Sequence, residues 1–425
     1  MGFTTTAIHG GWGRENSVRA VPVHRTTAYN FRDASHAADL FALKELGHIY
    51  TRLQNPTQDV LETRLAQLEG GTGALVTASG TAAIFNSIIN VAGAGDEIVA
   101  SSELYGGTYS QFKDILPQFG ITVHFVDPHD PAAWKAASNE RTRAFYYETI
   151  GNPSLRVPDF EAVKSVAEDV HVPVIVDSTF TTPYLLNPIE YGADVVVHSL
   201  TKWIGGHGTA VGGAVIDAGR FDWTDPKFRT FNEPDTGYHG LRYAHDLGDL
   251  SPLAFVLRMR LVQIRNLGAC LSPDNEWMFL QGLETLALRM ERHSANAATV
   301  AEFLAGHPAV AWVRYPGLKA DNENYEVAEK YLKKGFGGMV VFGIRGGREA
   351  GARFIEALEL FSHVANVGDA KSLAIHPAST THSQLSEADL ESAGVGADLI
   401  RLSIGIEDIG DIRDDLESAL RAAAS

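Results

Sequence analysis

The chain has 425 residues, 35 basic against 52 acidic side chains for a formal net charge of −17, and 45% hydrophobic residues. That length exceeds one ordinary core and implies two or three domains, while the acidic balance lacks the basic stripe that a nucleic-acid partner requires. Cys270 is the single cysteine, so an internal disulfide and a cysteine-rich metal site are excluded and a reducing cytoplasm is the expected setting.

No basic-then-apolar leader opens the sequence, and no run is long and apolar enough to span a membrane, so none is expected. Gly2 with Thr6 gives only a fragment of a myristoylation signal, without a polybasic second anchor. Residues 1–58 read as an irregular arm of the kind that wraps a neighbouring subunit, with one short helical pattern over Ala34–Leu46. From Thr57 the pattern is regular. TQDVLETRLAQLEG places Val60, Leu61, Leu65 and Leu68 on one helical face and stops at Gly70-Gly71. ALVTAS, DEIVASS, ITVHFVD, TRAFYYE, PVIVDST and DVVVHS are apolar strand runs. Helical segments separate them, among them GTAAIFNSIINVA and GGTYSQFKDILPQFG. Strands alternating with helices predict a mostly parallel sheet in an α/β fold.

The period fails over Phe221–Asp249, a long Asp-, Gly- and aromatic-rich insert; such inserts are usually functional or lie at interfaces. Beyond it, LETLALRMERHSANAATVAEFLAG predicts one long helix, AWVRYPG, GGMVVFGI and LIRLSIGI predict strands, and Glu349–Leu360 and Ile409–Ala424 predict helices. The resulting division is an arm (1–58), a cofactor domain (59–270) and a smaller C-terminal α/β domain (271–425).

Three strand ends carry chemistry. In VVVHSLTKWIGGHG, Lys202 follows a buried strand and stands beside Ser199 and Thr201, at the carboxyl edge where open α/β sheets bind ligands. A lysine in a partly dry pocket loses basicity and can condense with an aldehyde; taken alone, it reads first as an ordinary loop lysine in solvent. Asp177 closes the apolar run PVIVD, where a carboxylate needs a partner such as a protonated pyridine nitrogen, unless it caps a helix or binds Mg²⁺. Ser79-Gly80-Thr81 lies between a strand and a helix start, which suits a phosphate or a plain N-cap turn. Phosphate cradle, acid and lysine together describe pyridoxal 5'-phosphate. Tyr105 in SSELYGGTY could stack on the pyridine ring, or pack as an ordinary half-buried tyrosine.

IYTRLQNPT, TASGTAA, ELYGGTY, ETIGNPS, IVDSTFTTP, HSLTKWIGGHG, SLAIHPASTTH and LIRLSIGIED occur in this order over nearly the whole chain. In this series the chain resembles the pyridoxal-phosphate enzymes of Cys/Met metabolism. The resemblance implies a fold type I transferase subunit. It implies Lys202 as the cofactor-bound lysine and general acid/base, Asp177 as the pyridinium partner, and Gly80, Thr81, Ser199 and Thr201, with Ser79, as the phosphate cradle. Tyr50 and Arg52 are implied to reach a neighbouring subunit's phosphate, and Arg401 to clamp the substrate α-carboxylate with its guanidinium fork. Asn152 and Ser372 fall in motifs that border cofactor and substrate, and Tyr105 is implied as a catalytic helper. The assembly implied is a homotetramer with shared active sites.

The motif SLAIHPASTTH and the long insert resemble members that exchange the acetoxy group of O-acetyl-L-homoserine for sulfide or a thiol, giving homocysteine or methionine and acetate. A cystathionine γ-synthase or methionine γ-lyase activity is the alternative, although Gly107 stands where the lyases carry cysteine. His198 and His207 lack a third ligand at suitable spacing, so no metal is expected.

Overall fold

The computed structural model of the protein describes all residues except 14, 321, 378–379, 381–395 and 425. The last four positions of the SLAIHPASTTH motif therefore fall mostly outside the described residues.

The main body is a seven-stranded sheet of β1 (Gly73–Thr77), β2 (Glu97–Ser101), β3 (Thr122–Val126), β4 (Thr142–Glu148), β5 (Val174–Asp177), β6 (Val195–Ser199) and β7 (Gly213–Asp217), in the spatial order β1-β7-β6-β5-β4-β2-β3. The β3-β2-β4-β5-β6 run is parallel, and β7 is antiparallel to both β1 and β6. The sheet is mostly parallel, as the alternation predicts. Its central strands are buried on both faces, which is why they read as unbroken Val/Ile runs. Val174, Val176 and Val196 face one apolar layer and Ile175, Val195 and Val197 the other.

Helix α1 (Pro56–Glu69) starts on Asn55, whose side chain accepts the Thr57 N–H, and ends on Gly70 at φ +74°. It buries polar as well as apolar faces because it packs against β1 and against a later helix, α4, defined below. Helix α2 (Gly80–Val91) follows β1 directly. The predicted helix over Gly106–Gly120 is instead three short turns: α3 (Gly106–Ser110), a π-type turn (Gln111–Ile115) and a 3₁₀ turn (Leu116–Phe119). Pro117 lacks an N–H and cannot extend a regular helix. The predicted long helix over residues 283–306 is also broken. Helix α4 (Pro273–Glu284) ends at Thr285, and α5 (Leu286–Ala305) begins after it.

The insert is not loose. Trp223, Phe228, Phe231 and Tyr243 are buried and pack with Phe255, and the Tyr238 hydroxyl donates to the Phe41 carbonyl of the arm at 2.9 Å.

A second sheet, in the order β10-β11-β12-β9-β8, comprises β8 (Val310–Arg314), β9 (Met339–Ile344), β10 (Ser362–His363), β11 (Leu373–Ile375) and β12 (Leu399–Ser403). It is mostly antiparallel; only β10 and β11 run parallel. Helices α6 (Gly347–Ala357) and α7 (Ile409–Ala424) pack on it, the latter over the span its periodicity predicts. Among the described residues no helix is long and apolar enough to cross a membrane.

Candidate active site

A cavity of about 290 Å³ opens at the carboxyl edge of the main sheet, where the second sheet meets it. It gathers Ser79, Gly80 and Thr81 from the β1–α2 turn, Tyr105 from the N-cap of α3, Asp177 from β5, and Ser199, Thr201 and Lys202 from the end of β6. Asn152 and Arg401 complete the set of predicted residues it brings together. A larger hollow of about 690 Å³ lies elsewhere, around Lys164, Asp194 and Arg220. It is a polar surface groove whose charges already pair with one another.

Each position follows from local physics. Ser79 is the N-cap of α2, extended at φ −163°, and its hydroxyl accepts the Ala82 N–H at 3.0 Å. The N–H groups of Gly80 and Thr81 precede the first intrahelical bond and are free to meet an anion. Gly80 is required by packing: a Cβ there would lie 2.6 Å from the Ser199 Cβ and 2.9 Å from its Cα. The helix N-terminus and the end of β6 thus close one cradle.

Asp177 is buried, and burial pushes its carboxyl upward in pKa. It accepts the Thr179 N–H at 2.9 Å and hydroxyl at 2.5 Å, with the Tyr146 hydroxyl at 3.5 Å. Among the described residues no cation pairs with it. A buried carboxylate with neutral donors and no counter-ion suits a cationic ring nitrogen.

Lys202 donates from Nζ to the Asn366 Oδ1 at 2.6 Å. Burial, and then the neighbouring Arg401 charge, lower its pKa, which favours the neutral amine that both condensation with an aldehyde and proton abstraction need. Arg401, in the middle of β12, donates to Asn152 Oδ1 at 3.1 Å and meets no carboxylate among the described residues. Burial lowers its pKa as well. The site therefore offers a guanidinium fork for a carboxylate, an amine, an isolated acid and a phosphate-sized turn, a set that fits pyridoxal phosphate bearing an amino acid.

The remaining predicted residues lie apart. Tyr50 is 41% exposed, with the Arg52 guanidinium 5.3 Å from its ring centre, and neither lines the cavity of its own chain. Ser372 is fully buried outside the cavity. Its hydroxyl donates to Glu407 Oε2 at 3.0 Å and accepts the Gly405 N–H at 2.9 Å, a structural tie between the residue preceding β11 and the segment after β12. His198 is fully buried against Glu69 Oε1 at 2.5 Å, and His207 is exposed with its ring on the Gly205 carbonyl.

Sequence reasoning missed Glu148, Thr179 and Asn366, all of which line the cavity. Glu148 and Thr179 sit inside quoted motifs, beside the residues singled out there. Asn366 carries no local signal, because its role depends on meeting Lys202 from 164 positions away.

Comparison with known proteins follows the same outline. The family model described as Cys/Met metabolism PLP-dependent enzyme matches residues 4–421. An O-acetyl-L-homoserine sulfhydrylase of Leptospira meyeri is 55% identical, over 98% of this chain and 96% of that one. A homocysteine synthase of Schizosaccharomyces pombe is 48% identical, over 99% and 98%. A Campylobacter jejuni crystal structure, provisionally named an O-acetylhomoserine (thiol)-lyase, superposes with a TM-score of 0.94 at 41% identity, over 99% of this chain and 100% of that one. It carries N'-pyridoxyl-lysine-5'-monophosphate.

Proposed function

Because the chain belongs to the Cys/Met metabolism family of pyridoxal-phosphate-dependent enzymes, we propose that it catalyses γ-replacement on O-acetyl-L-homoserine. Hydrosulfide or a thiol takes the place of the acetoxy group, and homocysteine or methionine leaves with acetate. The observation that carries this reading is one cavity lined by the Lys202 amine, the buried carboxylate of Asp177 and the Arg401 guanidinium, the last two without an ion-pair partner among the described residues.

When bound, pyridoxal phosphate supplies an electron sink for the pair left at the substrate Cα once its proton is removed. The residues do the rest. Ser79, Gly80, Thr81, Ser199 and Thr201 hold the phosphate through hydroxyls and N–H groups. Asp177 keeps the ring nitrogen protonated. Arg401 binds the α-carboxylate bidentately and Asn152 orients its fork. Lys202 would hold the cofactor in the resting enzyme, and its lowered basicity favours the neutral amine once a substrate is in place. It then accepts the Cα proton and later returns one. Loss of a second proton, from Cβ, would let acetate leave from Cγ; hydrosulfide would add there, and one proton returned to Cβ and one to Cα would complete the exchange of acetate for hydrosulfide with atoms and charge in balance. Tyr105, at the cavity wall, stacks on the ring and shields it from water.

The arm over residues 1–58 reaches a neighbouring subunit, in this reading, so that the exposed Tyr50 and Arg52 complete that subunit's phosphate site in a homotetramer; the cytoplasm is the proposed compartment. The large domain spans 59–270 and the small one 271–425.

The test is direct. Purified protein should show the visible absorption band of a lysine-bound cofactor, absent in Lys202→Ala, and should release homocysteine and acetate from O-acetylhomoserine and sulfide. Cystathionine formed faster with cysteine, or 2-oxobutyrate formed from methionine, would transfer the assignment to the synthase or lyase alternative.

A further inference from the structure

The cofactor cavity contains a second buried acid that the reaction above does not use. Glu148 ends β4 and is paired in register with Asp177 at the end of β5. In a parallel pair, such partners project to the same face from strands about 4.8 Å apart. Both side chains line the cavity, and Glu148 is only 8% exposed. Two carboxylates this close, in so little water, do not both ionise.

The hydrogen bonds decide which of the two keeps the charge. Asp177 accepts an N–H and two hydroxyls, each of which favours its anion. Among the described residues Glu148 has one donor, the Tyr105 main-chain N–H at 2.7 Å; it too favours the anion, but it is one donor against three, and the carbonyl of a neutral carboxylic acid can accept it as well. Burial, and then the Asp177 charge, hold Glu148 well above the ordinary carboxylate range. The other titratable and charged groups around it are Tyr146 on its own strand, Tyr105 above it, Lys202 and Arg401 across the cavity, and the Glu69–His198 pair behind the sheet. Neither cation bonds to Glu148: Lys202 is engaged by Asn366 and Arg401 by Asn152.

We propose that Glu148 is a positioning residue that remains a neutral carboxylic acid in the working enzyme, anchoring Tyr105 through its main-chain N–H and leaving Asp177 as the one ionised acidic side chain among the described residues that line the cavity. The consequence is electrostatic. The ring nitrogen meets one full negative charge from Asp177, while its neighbour in register, Glu148, contributes none. The inference deepens the reading of this cavity as a pyridoxal-phosphate site and rests on it.

The experiment uses the full-length protein with and without cofactor. In the cofactor-free wild type at neutral pH, the infrared difference spectrum against E148Q should contain the C=O stretch of a protonated carboxylic acid. E148Q, which keeps the acceptor and the neutrality, should bind pyridoxal phosphate within about twofold of wild type and with the same pH profile. E148A, which strands the Tyr105 N–H, should bind roughly tenfold more weakly. A difference spectrum showing an ionised carboxylate instead, or an E148Q protein as impaired as E148A, would overturn the proposal. If wild type bound no pyridoxal phosphate at all, the functional reading would fail instead, and the infrared result would stand apart from it.

Discussion

Gly368 supplies the sharpest test of how the two halves of the site are held together. It sits at φ +78° in the segment that carries Asn366, and a Cβ there would lie 2.6 Å from the Trp203 nitrogen, 2.8 Å from the Lys202 carbonyl carbon and 3.1 Å from the Lys202 Cα. All three are backbone atoms, so no side chain can swing away. Nor can the lysine segment yield easily: Trp203 is fully buried, Gly206 N–H donates to the Lys202 carbonyl at 2.8 Å, and Ala370 N–H to the Gly206 carbonyl at 2.8 Å. Restoring an ordinary 3.4 Å contact in Gly368→Ala requires the segments to part by about 0.8 Å. A left-handed alanine costs about 1–2 kcal/mol and overpacking a further ~1–3 kcal/mol, so the variant should lose about 2–5 kcal/mol of stability. If half of the movement falls on Lys202, the amine shifts by about 0.4 Å, and with ~100-fold losses typical of a 1 Å misplacement, kcat/KM should fall roughly tenfold. The assays are steady-state turnover of O-acetylhomoserine with sulfide and the urea midpoint, with Gly93→Ala as control, since a Cβ there meets only Asp96 Oδ2 at 3.9 Å. A Gly368→Ala enzyme with wild-type turnover and midpoint would refute the reasoning.

Arg401→Ala should raise KM for O-acetylhomoserine about 30-fold or more, by loss of a charge-assisted fork, and leave cofactor content unchanged; loss of cofactor at constant KM would reverse the assignment. His293 makes the fold acid-sensitive. Its side chain is fully buried, Nδ1 donates to the Ile404 carbonyl at 2.7 Å, and Nε2 has no hydrogen-bond partner among the described residues. Burial pushes its pKa down from 6.5 to about 4. The unfolded chain therefore binds a proton below pH 6.5 that the folded protein refuses until about pH 4, so stability present above that window is lost as pH falls through it. The loss is of order 3 kcal/mol, and urea midpoints of wild type and His293→Asn should converge between those limits.

The sheet was legible because its strands are buried on both faces and so spell continuous apolar runs. The strand-end residues Ser79, Asp177 and Lys202 were legible for a related reason: polar groups at such places demand an explanation. What failed was whatever depends on a single backbone detail or on distant contact. Pro117, without an N–H, ends regular helix within GGTYSQFKDILPQFG, which reads as one helical segment, and Thr285 divides another. Glu148 was passed over because its meaning lies in register with Asp177, which pattern alone does not reveal. Ser372 reads as a site residue by motif; the structure places its hydroxyl on Glu407. Tyr50 and Arg52 do not line the Lys202 cavity of their own chain, and their proposed role lies in a neighbouring subunit.

The cavity draws its walls from Ser79 at one extreme of sequence and Arg401 at the other. No fragment made early in synthesis contains it. The growing chain completes the cofactor's cradle, Ser79 through Lys202, before the strand that carries Arg401 is made, so a molecule whose second sheet has not docked would hold the vitamin yet lack the clamp for a substrate carboxylate.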